Sequence, residues 1–125
     1  MTNDKTHRDL DLWKRGIELV VEIYRITKDF PSDERYGLVA QMRRAAVSIV
    51  SNVAEGASRH SKKDFARFLY TARGSASELE TQIIVSRELG YLDGDQKQAL
   101  LITVDALQKM ASGLVRFLNK TPSPS

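Results

Sequence analysis

The segment LLITVDALQKMASGLVRFL, residues 100–118, decides the fold of this chain. Its apolar residues alternate steps of three and four, which is the spacing of a helix that packs along a single seam. Asp93 and Gln96 lie just before it with the spacing of a capping box, which predicts that the helix begins beside them. A helix of this kind needs partners with matching seams. The seam consists of Leu100, Val104, Leu107, Ala111, Leu114 and Leu118.

Three earlier segments supply matching seams. The apolar spacing predicts one helix from Asp11 to about Lys28, a second that starts near Ser32 and runs to about Glu55, and a third that begins at Ser61. Pro31 separates the first two, because proline cannot continue a helix. The second and third seams are Leu38, Met42, Ala45, Ile49 and Val53, and then Leu69, Ala72, Ala76, Leu79, Ile83 and Ser86.

The ends of these helices carry their own signals. Gly56 is predicted to end the second helix, Ser61 with Asp64 to cap the third, and Gly90 followed by Tyr91 to end the third in a left-handed turn. The connections are short, so neighbouring helices are antiparallel. The sequence therefore predicts an all-α protein, an antiparallel up-down-up-down four-helix bundle.

The composition suits one compact domain. The chain has 125 residues, of which 42% are hydrophobic and 28% charged, and a net charge of +3. We expect a single four-helix-bundle domain at residues 10–119, with a flexible leader at residues 1–9 and a disordered tail at residues 120–125. The N-terminus is polar and apolar runs are only a few residues long, so we expect a cytoplasmic protein that does not enter a membrane.

Several chemistries lack the residues that they need. The chain has no cysteine, which excludes a disulfide, a thiolate nucleophile and a cysteine-ligated metal. Its two histidines, His7 and His60, lie in the leader and in a loop, and neither belongs to a Glu-x-x-His pair of the kind that holds di-iron sites in bundles. No Gly-rich phosphate loop or nucleophile elbow occurs. We therefore expect no enzyme activity, no cofactor and no small-molecule substrate.

The first helix has a wider apolar surface than one bundle core requires. One series, Trp13, Ile17, Val20 and Tyr24, is assigned here to the core. A second series would then face outward and contact another subunit, since a broad apolar patch rarely stays exposed; an overlying tail is the alternative. The predicted oligomer interface consists of Leu12, Leu19, Ile23 and Ile26.

Polar side chains line one side of the second helix and a comparable side of the third. Because a guanidinium fork satisfies a carboxylate at two points, we expect Arg43 or Arg44 to pair with Glu78 between the two helices. A structural network, a ligand pocket and two solvated faces are all open interpretations. The network residues would be Gln41, Arg43, Arg44, Ser48, Asn52, Glu55, Ser75 and Glu78.

A basic cluster surrounds the start of the third helix. Lys62 and Lys63 fall in the first helical turn, where positive charge opposes the helix dipole. A solvated loop explains such a charge run, and contact with a phosphate backbone is the alternative, which would be strongly salt-dependent. The candidate nucleic-acid-binding residues are Arg59, His60, Lys62, Lys63 and Arg67.

Residues 30–82, from FPSDERYG through GSASELETQ, resemble the central signature of a bacterial four-helix-bundle family called intervening-sequence proteins. The matching features are the Phe30–Pro31 break, the run from Gln41 to Gly56, and the block from Phe65 through Glu78. Family members take their name from genes that lie within intervening sequences of bacterial 23S ribosomal RNA. No biochemical activity is established for them, so the resemblance implies no catalytic residues.

The same resemblance extends to an accessory protein of diversity-generating retroelements, which forms a barrel-like pentamer and works with a reverse transcriptase and nucleic acid. It therefore implies a homopentamer. Our leading hypothesis is a non-enzymatic, homo-oligomeric four-helix-bundle scaffold. The alternative is an RNA- or DNA-binding accessory protein that uses the basic loop before the third helix.

Overall fold

The computed structural model describes residues 7–120. Helix α1 spans Asp11–Thr27, α2 Leu38–Ala57, α3 Lys62–Glu88 and α4 Gly94–Lys120, and two short 3-10 helices cover His7–Asp9 and Ser32–Glu34. No strand occurs in this part of the chain. Each helix packs on its neighbours in sequence, and α1 also packs on α4, which closes the bundle. The predicted antiparallel four-helix bundle is confirmed.

The predicted domain ends need adjustment. Residues 1–6 of the predicted leader and 121–125 of the predicted tail lie outside the described residues. His7–Asp9, which the leader was expected to include, form a 3-10 helix, and the His7 ring stacks edge-on against Trp13 with 5.1 Å between ring centroids. Lys120 is the last residue of α4 rather than part of a tail.

The seam of α4 is buried as predicted except at one position. Leu100, Val104, Leu107, Ala111 and Leu118 are buried, whereas Val115 takes the place that the heptad gave to Leu114. An α-helix has 3.6 residues per turn, so a strict 3.5-residue seam drifts around a helix that is not supercoiled. The buried line therefore follows the helix rather than the heptad.

Three of the predicted end signals form. Asp93 N–H donates to Gln96 Oε1 at 2.9 Å, and Gln96 N–H donates to Asp93 Oδ1 at 2.7 Å, which completes a capping box for α4. Ser61 Oγ accepts from Asp64 N–H at 3.0 Å at the start of α3. Gly90 has φ +83°, and Tyr91 N–H donates to Ser86 O at 2.9 Å, as in a Schellman motif.

The boundaries of α2 differ from the prediction. The helix begins at Leu38 rather than near Ser32, because Ser32–Glu34 form a 3-10 turn, and Glu34 Oε1 accepts the Leu38 N–H at 3.2 Å. Gly56 does not cap the helix but lies inside it. A Cβ there would come within 2.9 Å of both Phe65 and Phe68, so glycine is required for close packing of α2 on α3.

Candidate functional surfaces

The two apolar faces of α1 have the opposite roles from those predicted. Leu12, Leu19, Ile23 and Ile26, the predicted oligomer interface, are at most 5% exposed and lie in the core of the same chain. That prediction is wrong, because two apolar series on one helix have the same periodicity and nothing in their spacing says which faces the core. Gly16 is the signal that was missed. It lies in line with the buried series, and a Cβ there would meet Val50 Cγ1 at 2.6 Å.

The face of α1 that the sequence assigned to the core is only partly buried, although Trp13 and Val20 still pack against the core. Trp13, Ile17 and Val20 are half-buried at the surface, and Val21 beside them is 62% exposed. We call these four residues the outer strip of α1. It is the apolar surface of α1 that residues 7–120 leave incompletely covered.

Part of the predicted polar network forms between α2 and α3. Ser48 Oγ and Ser75 Oγ are 2.8 Å apart and share a hydrogen bond. Asn52 Nδ2 donates to Ser48 O at 2.8 Å and contacts Ser48 Oγ at 3.1 Å. These three side chains form a polar contact between α2 and α3, which fits a structural network better than a ligand pocket.

The predicted Arg–Glu78 pair does not form. Arg44, Glu78 and Gln41 are exposed, and Arg43 points toward α1 instead of α3. Its Nε donates to Thr27 Oγ1 at 3.0 Å and its Nη2 to Tyr24 O at 3.3 Å. Consecutive residues on a helix point about 100° apart, so a stripe drawn from spacing alone does not decide which neighbouring helix each member contacts.

The basic loop carries less unpaired charge than its sequence suggests. Arg59 forms an ion pair with Glu55 at 2.8 Å, which takes Glu55 out of the predicted network, and Arg67 pairs with Asp64 at 3.6 Å. Both guanidinium groups also lie 4.8 Å from the Phe68 ring centroid, Arg59 from the loop and Arg67 from α3. His60 and Lys63 are exposed, and Lys62 is half-buried. Two of the five predicted cations are therefore already neutralised locally.

A different basic surface lies where α1 ends and α2 begins. Two neighbouring cavities of ≈ 480 Å³ and ≈ 370 Å³ share Arg35, Val39 and Arg43, so they form one continuous depression. We call it the α1–α2 groove. Its charged lining residues are all cations, and no Asp or Glu of residues 7–120 lines either cavity. The lining residues that matter below are Lys28, Arg35, Arg43, Arg44, Tyr24 and Tyr36.

The sequence did not reveal this groove because its cations are scattered over residues 28–44. They come from the end of α1, the 3-10 turn and the first turns of α2, so no charge run marks them. Only two pairs, Arg35–Tyr36 and Arg43–Arg44, are adjacent in sequence, and the Arg35 Cζ lies 5.8 Å from the Tyr36 ring centroid. The other lining residues of the groove come together only in the folded chain.

The groove between α1 and α4 has a different character. Its volume is ≈ 490 Å³, and the charged residues that line it are of both signs, Arg15 and Arg25 with Glu18, Glu22 and Asp95. Arg25 forms an ion pair and hydrogen bonds with Glu22 one turn away. That hydrogen bond lowers the pKa of Glu22, against a smaller opposing effect of burial. The charges of this groove compensate one another.

The described residues 7–120 contain no group of three or more His, Cys, Asp or Glu side chains that could hold a metal ion. None of the helices in the same range combines the length and the apolar composition that a bilayer crossing requires. The features that the structure does bring together are surfaces. One is the apolar outer strip of α1, which the described residues cover incompletely, and another is the basic α1–α2 groove, whose charges no described carboxylate pairs with.

The fold and these surfaces define a four-helix-bundle protein. The family model for the 23S rRNA-intervening sequence protein matches residues 8–113, so the chain belongs to that family. A crystal structure of a protein of unknown function from the S23 ribosomal protein family, from Bacteroides thetaiotaomicron VPI-5482, is similar in fold with a TM-score of 0.78 and 20% sequence identity. The match covers 84% of this chain and 95% of that one. No curated protein matches this chain.

Proposed function

We propose that this protein is a non-enzymatic scaffold that assembles into a homo-oligomer. The observation that carries the proposal is the distribution of large apolar side chains that the bundle leaves exposed. On the half formed by α1 and α2 they include Val21 and Val47, beside the partly covered remainder of the outer strip. On the half formed by α3 and α4 they are Tyr70, Ile84, Val85, Leu89, Ile102 and Phe117.

Two unlike apolar surfaces on opposite halves of a subunit suit a ring. A two-fold dimer uses one self-complementary patch, whereas a closed ring needs a head-to-tail contact between two different patches. The outer strip of α1 would be one patch and exposed apolar residues of α3 and α4 the other. A pentamer is the ring size that the family resemblance implies. Neither the family description nor that of the similar structure names an enzymatic activity.

Val21→Glu tests this assembly directly. The residue is exposed in the monomer, so a glutamate there leaves the bundle intact but places a charge in the subunit contact. We expect a smaller species in sedimentation velocity, with an unchanged helical circular dichroism spectrum. The matched control is Gln41→Glu on α2, which adds the same charge at an exposed helical position with no exposed large apolar residue one turn away on that helix. A Val21→Glu protein that sediments like the wild type would reject the outer strip as a subunit contact.

Nucleic-acid binding at the basic loop is the second candidate. It is supported by the exposed side chains of His60 and Lys63 beside the N-terminus of α3. The ion pairs of Arg59 and Arg67 count against it, because a phosphate would have to compete with a carboxylate at each. The test compares the salt dependence of nucleic-acid binding by the wild type with that of a variant in which Arg59, Lys62, Lys63 and Arg67 are changed to alanine. The difference in affinity measures the contribution of the loop to binding.

A further inference from the structure

We propose that the α1–α2 groove binds single-stranded nucleic acid, with its cations on the phosphates and its tyrosines on the bases. The proposal does not depend on the oligomeric state or on the basic loop. It rests on three properties of the groove, namely uncompensated charge, a guanidinium fixed in position, and exposed aromatic rings beside the cations.

The charge of the groove is of one sign. The groove is lined by Lys28, Arg35, Arg43 and Arg44 and by no carboxylate of the described residues, although the chain has 16 Asp and Glu residues against 19 Lys and Arg. None of the four forms an ion pair with a described residue, in contrast to Arg59 and Arg67 of the loop. A concave surface lined by cations alone raises the local concentration of an anionic partner.

The guanidinium of Arg43 is already fixed in position by uncharged groups. Thr27 Oγ1 and Tyr24 O, both uncharged acceptors, take up two of its N–H groups, and the Tyr24 ring lies 4.5 Å from its Cζ. These contacts fix the guanidinium at the C-terminal end of α1 without neutralising it. A cation that is already ordered loses less conformational entropy when a phosphate binds.

The aromatic residues decide between kinds of anionic partner. Tyr36 is 88% exposed and Tyr24 is 40% exposed, and each ring lies beside an arginine of the groove. Stacking on such rings requires unpaired bases, which single strands offer and a duplex does not. An acidic peptide would use the cations but would not require the rings. The combination therefore favours single-stranded nucleic acid.

The test is a binding titration with a fluorescently labelled oligothymidylate of about 12 nucleotides, a length within the range that single-strand sites cover. Arg35→Ala combined with Arg44→Ala removes two exposed cations whose side chains make no ion pair with a described residue. We expect on the order of tenfold weaker binding at low salt, and a slope of log K against log salt that is smaller by about 0.7 for each phosphate that the variant no longer neutralises. The matched control, Lys14→Ala with Arg116→Ala, removes the same charge elsewhere and should bind within about twofold of the wild type.

Tyr36→Ala separates stacking from charge. We expect it to weaken oligothymidylate binding on the order of tenfold while the salt slope stays unchanged, because no cation is removed. Thermal unfolding of every variant by circular dichroism shows whether its fold is retained. Light scattering on the same samples reports assembly separately, so a failure of the groove and a failure of the oligomer are distinguishable.

Four outcomes would overturn the proposal. They are no binding by the wild type at low salt, equal weakening by the groove variant and its control, weaker binding in the basic-loop variant alone, and polyglutamate bound as tightly as the oligonucleotide. The last result would assign the groove to an acidic protein partner instead.

Discussion

Gly16 is buried where α1 meets α2, and its missing side chain sets how closely the two helices approach. A Cβ at this position would lie 2.6 Å from Val50 Cγ1. Val50 is β-branched and sits inside a helix, so its side chain has one strongly preferred rotamer and cannot easily turn away. The contact therefore tolerates no larger residue without moving a helix.

Gly16→Ala should destabilise the protein for this reason. Overpacking of a tight core contact costs about 1–3 kcal/mol, and the better helix propensity of alanine offsets roughly 1 kcal/mol of it. We expect a net decrease of about 1 kcal/mol in the free energy of unfolding, measured by urea denaturation.

The control for this prediction is Gly74→Ala in α3, where no atom lies within 4 Å of the added Cβ. At Gly74 only the better helix propensity of alanine acts, so the free energy of unfolding of the variant should increase by up to about 1 kcal/mol. Equal effects of both substitutions would show that Gly16 is not a packing glycine.

Single residues also show what the sequence could and could not predict. Capping residues such as Ser61 and Asp93 act within one turn of the chain, so their spacing alone identified them. Gly56 was misassigned as a cap because its role depends on Phe65 and Phe68 of the next helix. A glycine required by tertiary contact has no local signature that separates it from one required by a turn.

At the scale of elements, two connections at one end of the bundle are joined by a hydrogen bond. Tyr91, after α3, donates its hydroxyl to Glu34 Oε2 in the 3-10 turn at 2.9 Å, and its ring lies 5.2 Å from Phe30. The hydrogen bond to the carboxylate raises the pKa of Tyr91, and burial and the nearby negative charges act in the same direction. The neutral phenol is therefore the form that the fold favours.

Tyr91→Phe should lower Tm at neutral pH, because it keeps the ring contact and removes the hydrogen bond. A raised folded-state pKa contributes stability that is fully present below the ordinary value of 10.0 and is lost as the pH rises through the folded value. The difference in Tm between wild type and variant should thus be constant from about pH 7 to 9 and shrink above about pH 10. A difference that stays constant or grows above that pH would contradict the assignment.

The helices themselves were predictable because each buries a long periodic seam. Which face of a helix points to the core was not predictable for α1. Helix α1 has two apolar series at the same spacing, and the choice between them depends on Gly16 and Val50, which lie on different helices. The α1–α2 groove escaped prediction for the same reason. Its cations are brought together only when the end of α1 and the start of α2 are packed side by side.

At the scale of the whole molecule, residues 7–120 form a closed four-helix bundle whose incompletely covered apolar and basic features lie on its surface. Inside the bundle, the buried Gln82 Oε1 has no hydrogen-bond partner among the described residues. The core accounts for Leu12, Leu19, Ile23 and Ile26, so the apolar residues left over on α1 are those of the outer strip. In the proposed head-to-tail ring, apolar side chains on the α3 and α4 half would contact them. The basic groove lies at the end of the same α1–α2 half, so the proposed anion-binding surface is beside the proposed subunit contact.

The molar mass of the wild-type protein in solution tests the central claim most directly. Size-exclusion chromatography with multi-angle light scattering at micromolar concentration should give about 70 kDa, five times the 14.1 kDa of one chain. A mass of 14.1 kDa at that concentration would contradict the account, because the outer strip of α1 would then stay exposed in a stable monomer.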